Sequence, residues 1–302
     1  MMHFADTSRN KHYAKDPAVV RIHGRYLMYY SVPPFEDGRP NDGWRTAIAE
    51  STDLDHWTRL GDLPVALPPD VRGFCAPAAR VLNGKVHLFY QTYGGGKLDA
   101  ICHAVSDDGL TFDTDDSNPI FRPHGDWTCG RAIDADIIPW NGSLMLYCAT
   151  RDPDMKIQQL AVASAPLDSD FSRDCWTQRC DASILKPELP WEGECIEAPA
   201  TCAHNGKLYM FYGGAYNNWP QQIGCAVSDD GITWTRLSDQ PVLPNGKPGE
   251  WNSSESGHPF AFTDDDGIQH LFFQGNCDHG KSWYLSRRTI RWDGDTPILT
   301  LD

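Results

Sequence analysis

The sequence contains no apolar run of about 18 residues, the length that a bilayer-spanning helix requires. Its start, MMHFADTSRNKHYAKD, lacks the basic end and apolar stretch of a secretory signal. These two absences predict a soluble cytoplasmic protein with no membrane partner, or a periplasmic or secreted one if a leader has been removed. Positive charge is scarce, with 26 Lys and Arg against 41 Asp and Glu and a formal net charge of −15. Affinity for nucleic acid comes largely from Lys and Arg neutralising phosphates, so nucleic acid is disfavoured and a neutral or cationic ligand is favoured. No pair among the ten cysteines has CxxC spacing, and Cys102, Cys148, Cys202 and Cys225 sit in strand-like segments, which reads as buried reduced thiols. Cys175 and Cys180 would bridge only in an oxidising compartment. Eleven histidines without close metal-ligand spacing give no sign of a zinc site.

What the chain does contain is turns and repeats. With 40% hydrophobic residues, 26 Gly and 22 Pro, it can bury a large core between many turns, and no linker or low-complexity stretch divides it, so residues 1–302 are expected to form one domain. Five segments share one pattern: DPAVVRIHGRYLMYYS from Asp16, APAARVLNGKVHLFYQ from Ala76, DADIIPWNGSLMLYCA from Asp134, APATCAHNGKLYMFYG from Ala198 and HPFAFTDDDGIQHLFFQ from His258. Each places an Asn-Gly, Asp-Gly or similar turn between two strand-like runs, which predicts a β-hairpin.

A second strand pair follows each hairpin and ends near Trp57, Phe112, Trp176, Trp234 and Trp292, at intervals of 55, 64, 58 and 58 residues. Four strands repeated five times predict an all-β fold, a five-bladed β-propeller with four antiparallel strands per blade. The blades are expected over about 13–62, 73–123, 131–187, 194–245 and 251–302, with residues 1 to about 12 closing the ring or covering its mouth. No long helix is expected. The stretches SDDGLTF and SDDGITW resemble the Asp-box turns of sialidases and are read as structural hairpins.

In a propeller the innermost strands converge on the axis. Counting back eight residues from the turn glycine gives Asp16, Ala76, Asp134 and Ala198, and the fifth repeat, one residue longer, gives His258. Glu197 lies beside its own equivalent position. A position with a purely structural role should look alike in every blade, whereas this one varies among carboxylates and His. Carboxylates crowded at an axis shift one another's pKa, the arrangement a hydrolase uses to hold one acid protonated and one base ionised. Asp136 beside Asp134 and Glu194 beside Glu197 are the alternatives. Strand alternation sends Asp134 and Asp136 to the same face at different depths, and the register with Pro199 favours Glu197.

At these residues the sequence resembles glycoside hydrolase family 43, within the wider group of five-bladed furanosidases that includes families 32, 62, 68 and 117. KDPAVVRIHGRYLMYYS resembles that family's Asp-Pro motif, which makes Asp16 a general base. RAIDADIIPWNG resembles its Ile-Asp motif, which makes Asp134 the residue that tunes the acid and orients substrate. GECIEAPATCAHNGKLYMFYGG resembles its Glu-Gly-Pro motif, which makes Glu197 the general acid, with Ala198 in place of the usual Gly. SGHPFAF resembles its Gly-His motif, which places His258 under the substrate, where it would hold a central ion through water.

The resemblance implies hydrolysis of glycosidic bonds with inversion, on α-L-arabinofuranosides or β-xylosides of plant-type oligosaccharides, Asp134 raising the pKa of Glu197 by like-charge repulsion. Phe74, Trp127, Trp251 and Arg131 are the further substrate-binding candidates. No cofactor is required, and a structural Ca2+ or other ion would sit in the central channel. Arg151-Asp152-Pro153 and Glu194-Cys195 resemble motifs of families 32 and 68, and on that alternative Asp16 is the nucleophile of a retaining β-fructosidase. A non-catalytic carbohydrate-binding propeller is the other rival.

Overall fold

The computed structural model describes residues 2–39, 42–64 and 73–301. Five four-stranded sheets follow one another along the chain, each with its strands hydrogen-bonded in sequence order. The first contains β1 (Lys15–Ile22), β2 (Arg25–Val32), β3 (Arg45–Ser51) and β4 (Thr58–Asp62). The second contains β5 (Gly73–Leu82), β6 (Lys85–Tyr93), β7 (Ile101–Ser106) and β8 (Asp113–Thr114). The third contains β9 (Ile133–Trp140), β10 (Ser143–Arg151), β11 (Gln158–Pro166) and β12 (Thr177–Gln178). The fourth contains β13 (Ile196–His204), β14 (Lys207–Gly214), β15 (Gln222–Ser228) and β16 (Thr235–Arg236). The fifth contains β17 (Glu255–Thr263), β18 (Gln269–Asn276), β19 (Tyr284–Asp293) and β20 (Thr296–Thr300). The fold is thus all-β, a propeller of five blades. Among the described residues helical structure is confined to three short 3-10 turns, and no helix is long and apolar enough to cross a membrane.

The hairpins form where the turn chemistry demands. His23-Gly24, Asn83-Gly84, Asn141-Gly142 and Asn205-Gly206 all have positive φ at both residues, the type I′ geometry whose twist matches the flanking strands. The outer ends differ from the expectation in one blade. Trp57, Phe112, Trp176 and Trp234 each sit one residue before a fourth strand, whereas Trp292 lies within β19, one residue before its end, because a tight turn at Gly294-Asp295 leads into β20.

Blades bury their faces on one another in three apolar clusters. The Asp-box-like turns tie neighbours together. Ser106 Oγ accepts from Gly109 N–H at 2.8 Å, while Gly109 carbonyl oxygen accepts from Tyr29 of the preceding blade, also at 2.8 Å. A Cβ at Gly109 would meet Leu27 Cδ1 at 2.5 Å, so only glycine fits there. Gly231 accepts from Tyr147 in the same way at 2.8 Å.

The N-terminal segment joins the last blade to the first. Phe4 and Leu285 exchange backbone hydrogen bonds of 2.9 and 2.8 Å, and Met2, fully buried, accepts from Ser286 Oγ at 2.7 Å. All ten cysteines are unpaired, Cys175 and Cys180 included.

Candidate active site

Each inner strand breaks its register at one place. The shifts fall between Lys15 and Ala18, Cys75 and Ala78, Glu197 and Ala200, and Gly257 and Phe260, and in the third blade opposite Cys148. At these bulges Asp16, Ala76, Asp134, Ala198 and His258 all adopt left-handed backbone, with φ of 53°, 45°, 52°, 50° and 44°. That conformation costs a non-glycine residue on the order of 1 kcal/mol or more, and bulges of this kind re-aim side chains beside functional sites. Proline follows four of the five, and Ala135 takes its place in the third blade.

Side chains of the preceding blade hold the strained amides. Asp16 N–H donates to Gln274 Oε1 at 3.1 Å, Ala76 N–H to Ser31 Oγ at 2.8 Å, Asp134 N–H to Gln91 Oε1 at 2.7 Å and His258 N–H to Gln221 Oε1 at 3.1 Å.

A cavity of about 200 Å³ opens at this end of the axis. It gathers Asp16, Asp134, Glu197, His258 and Arg131 together with Lys15, Arg151, Trp44, Tyr93 and Tyr216. Asp16, Asp134 and Glu197 are all buried. His258 Nδ1 lies 3.3 Å from Asp16 Oδ1, and burial lowers the pKa of the imidazole. Burial, then the charges of Glu197 and Asp16, push Asp134 well above the usual carboxylate range, against the opposing pull of Arg131 and Lys15.

Glu197 is the most heavily held of the three. Its Oε1 accepts from Gln221 Nε2 at 2.6 Å and from Asn217 Nδ2 at 3.3 Å, and its Oε2 accepts from Gln158 Nε2. Gln158 is itself oriented by Arg151, whose Nε donates to its Oε1 at 2.9 Å. Lys15 Nζ donates to Asn217 Oδ1 at 2.9 Å. Burial pulls that ammonium down, but Asp16, Tyr13, Glu255 and Glu197 outweigh it and the net shift is upward. Glu255, fully buried beside this network, is pushed up to about 7 by burial, and accepts from Gln274 Nε2 at 2.9 Å and from Asn218 N–H at 2.6 Å.

The neighbouring carboxylates separate cleanly. Asp136 lies deeper along the third inner strand and accepts from Thr201 N–H at 2.8 Å, and Glu194 is exposed, 3.6 Å from Lys156. Asp152 caps its own loop by accepting from Lys156 N–H at 2.6 Å.

Three expected aromatics, Phe74, Trp127 and Trp251, lie outside this cavity. Phe74 is 0% exposed and packs on Tyr90 at 5.5 Å between ring centroids, so no sugar reaches it. Trp127 packs against the apolar cluster that joins the third blade to its two neighbours and borders a separate surface hollow with His124 and Asp181. Trp251 packs on Phe273 and His3, at 5.8 and 5.0 Å. Trp44, Tyr93 and Tyr216 supply the aromatic lining instead. Among the described residues no group of three or more His, Cys, Asp or Glu is arranged to hold a metal ion directly.

Comparison with known proteins gives a family model described as Glycosyl hydrolases family 43, matching residues 10–295. The chain is 29% identical over 209 residues to a 1,2-beta-oligomannan phosphorylase of Thermoanaerobacter sp. (strain X514), a match covering 67% of this chain and 64% of that protein. It is 31% identical over 93 residues to Xylosidase/arabinosidase 43A of Humicola insolens, covering 30% of this chain and 26% of that one. The chain therefore spans less than two thirds of either relative. Its fold matches a crystal structure of a thermostable family-43 glycoside hydrolase with a TM-score of 0.74 at 21% identity, covering 96% of this chain and 93% of that one.

Proposed function

The chain belongs to glycosyl hydrolase family 43, and we propose that it hydrolyses glycosidic bonds with inversion, acting on α-L-arabinofuranosides or β-xylosides of oligosaccharides. The observation that carries this reading is the convergence of Asp16, Asp134 and Glu197, from three different blades, on one cavity. Glu197 protonates the leaving oxygen while Asp16 takes a proton from water attacking the opposite face of the sugar. His258, beside Asp16 Oδ1, orients the base. Asp134, raised above the usual carboxylate range by burial and by the two neighbouring carboxylates, stands beside Glu197 to orient the substrate. Arg131, Lys15 and the rings of Trp44, Tyr93 and Tyr216 grip the sugar. The choice of pentoside rests on the name of the second relative and on analogy of fold, a weaker support than the carboxylates. A panel of aryl glycosides followed by NMR tests the reading: turnover of a pentoside with an inverted first product supports it. A retained product, or sugar binding without turnover, overturns it.

A second reading draws on the cations. Lys15, Arg131 and Arg151 line the same cavity, and the first relative is named as a phosphorylase. On this reading inorganic phosphate replaces water as the nucleophile and needs no base. Phosphate-dependent release of a sugar 1-phosphate, surviving in Asp16→Asn, would establish it.

A further inference from the structure

We infer that Trp219 forms a distal carbohydrate subsite, so that the substrate is a neutral oligosaccharide running from the cavity onto the loop between β14 and β15. The inference rests on the carbohydrate reading above and adds to it the length of chain that is recognised. Trp219 is 79% exposed, and every other tryptophan of the chain is at least half-buried. A single exposed apolar side chain is ordinary by itself. What distinguishes Trp219 is where it stands. Tyr216 and Asn217 of the same loop line the cavity, and Gln221 of that loop holds Glu197. Three residues of chain reach at most roughly 10 Å, so the indole lies within reach of sugar units adjoining the one in the cavity. Among the described Phe, Tyr and Trp residues the other exposed ring is Tyr93, at 38%, and it too belongs to the cavity wall.

The loop is also rigid. Ala215 N–H donates to the carbonyls of Glu192 and Cys195, both at 2.9 Å, Tyr216 Oη donates to the Lys156 carbonyl at 3.1 Å, and Trp219 N–H donates to the Tyr216 carbonyl at 3.0 Å. Asn218 is tied down twice, its N–H donating to Glu255 Oε2 at 2.6 Å and its Oδ1 accepting from Asn276 Nδ2 at 3.0 Å. An indole displayed on a fixed backbone loses little entropy on binding and offers a broad face to the C–H side of a neutral sugar ring.

The test is calorimetry of xylo- and arabino-oligosaccharides of increasing length on the Asp16→Asn variant, alone and combined with Trp219→Ala or Trp219→Phe. Affinity should climb with chain length, by about tenfold between the shortest and longest ligands, and Trp219→Ala should flatten that climb while Trp219→Phe retains most of it. An unchanged climb in the Trp219→Ala background, or no climb at all, overturns the subsite. Wild-type turnover of short aryl glycosides together with length-independent binding would sink the subsite and spare the hydrolase. Length-dependent binding without any turnover would do the reverse.

Discussion

Gln221 grips Glu197 and the strained backbone of the next blade at once: its Nε2 donates to Glu197 Oε1 at 2.6 Å while its Oε1 accepts from His258 N–H at 3.1 Å. The arrangement depends on a missing side chain, since a Cβ at Gly257 would overlap Gln221 Oε1 and stand 2.6 Å from its Cδ. Gly257→Ala is therefore expected to displace Gln221 and lower kcat by about 10- to 100-fold, the usual effect of a small misplacement of a reacting group. Gln221→Ala should do the same with little change in KM. Steady-state kinetics on variants with unaltered melting temperature check this, and near wild-type kcat in both would refute the positioning role.

The base has its own test. Asp16→Asn keeps the shape but cannot take a proton from water, so turnover of a pentoside should fall by about 10² to 10⁴ with substrate binding largely kept. Kinetics and calorimetry on the same preparation decide it. A variant as active as the wild type would remove Asp16 from the mechanism.

Away from the site, His87 and His103 form a hydrogen-bonded pair, Nδ1 to Nε2 at 3.0 Å, with His103 Nδ1 3.3 Å from Asp115 Oδ2. Burial lowers His103 and, with the charges of His103 and Lys85, brings His87 down to about 4. The unfolded chain takes up protons here near pH 6.5, before the folded one does. Stability from the pair is thus present above about pH 6.5 and lost as pH falls towards about 4. Denaturant melts at pH 7.5 and 4.5 should show the wild type losing about 1–2 kcal/mol more than His87→Phe, a figure discounted for the part-exposed ring. Parallel losses would contradict it.

The propeller was legible because its period is written in local chemistry. Positive-φ turn pairs such as Asn83-Gly84 and Asn205-Gly206 mark four of the hairpins and Gly267 alone marks the fifth, and counting back from these glycines reaches the five bulge residues that prove to share one backbone conformation. The carboxylates followed from that count. The amides that hold them did not, since Gln91 grips Asp134 from another blade across 43 positions of sequence. A trace was present nonetheless: Ser31, Gln91 and Gln274 close their repeat segments with a polar residue where apolar residues precede it. A ring near an inner strand can be buried in an apolar cluster, as Phe74 is, or border the cavity, as Tyr93 does, and composition does not separate the two. Lys15 carries no such mark in the sequence, because its charge suggests solvent, whereas its Nζ reaches inward to Asn217 Oδ1.

The central claim is that Glu197 is the acid, and its leaving-group dependence tests that most directly. General-acid help matters most for poor leaving groups, so Glu197→Gln should nearly abolish cleavage of oligosaccharides while sparing aryl glycosides of acidic phenols. Glu194→Gln, which removes an exposed carboxylate 3.6 Å from Lys156, should change both rates little and equally. The measurement is kcat/KM for a series of aryl glycosides of graded phenol acidity in the wild type and both variants. A dependence that steepens in Glu197→Gln and matches the wild type in Glu194→Gln is the predicted result; the opposite pattern would contradict the assignment of the acid.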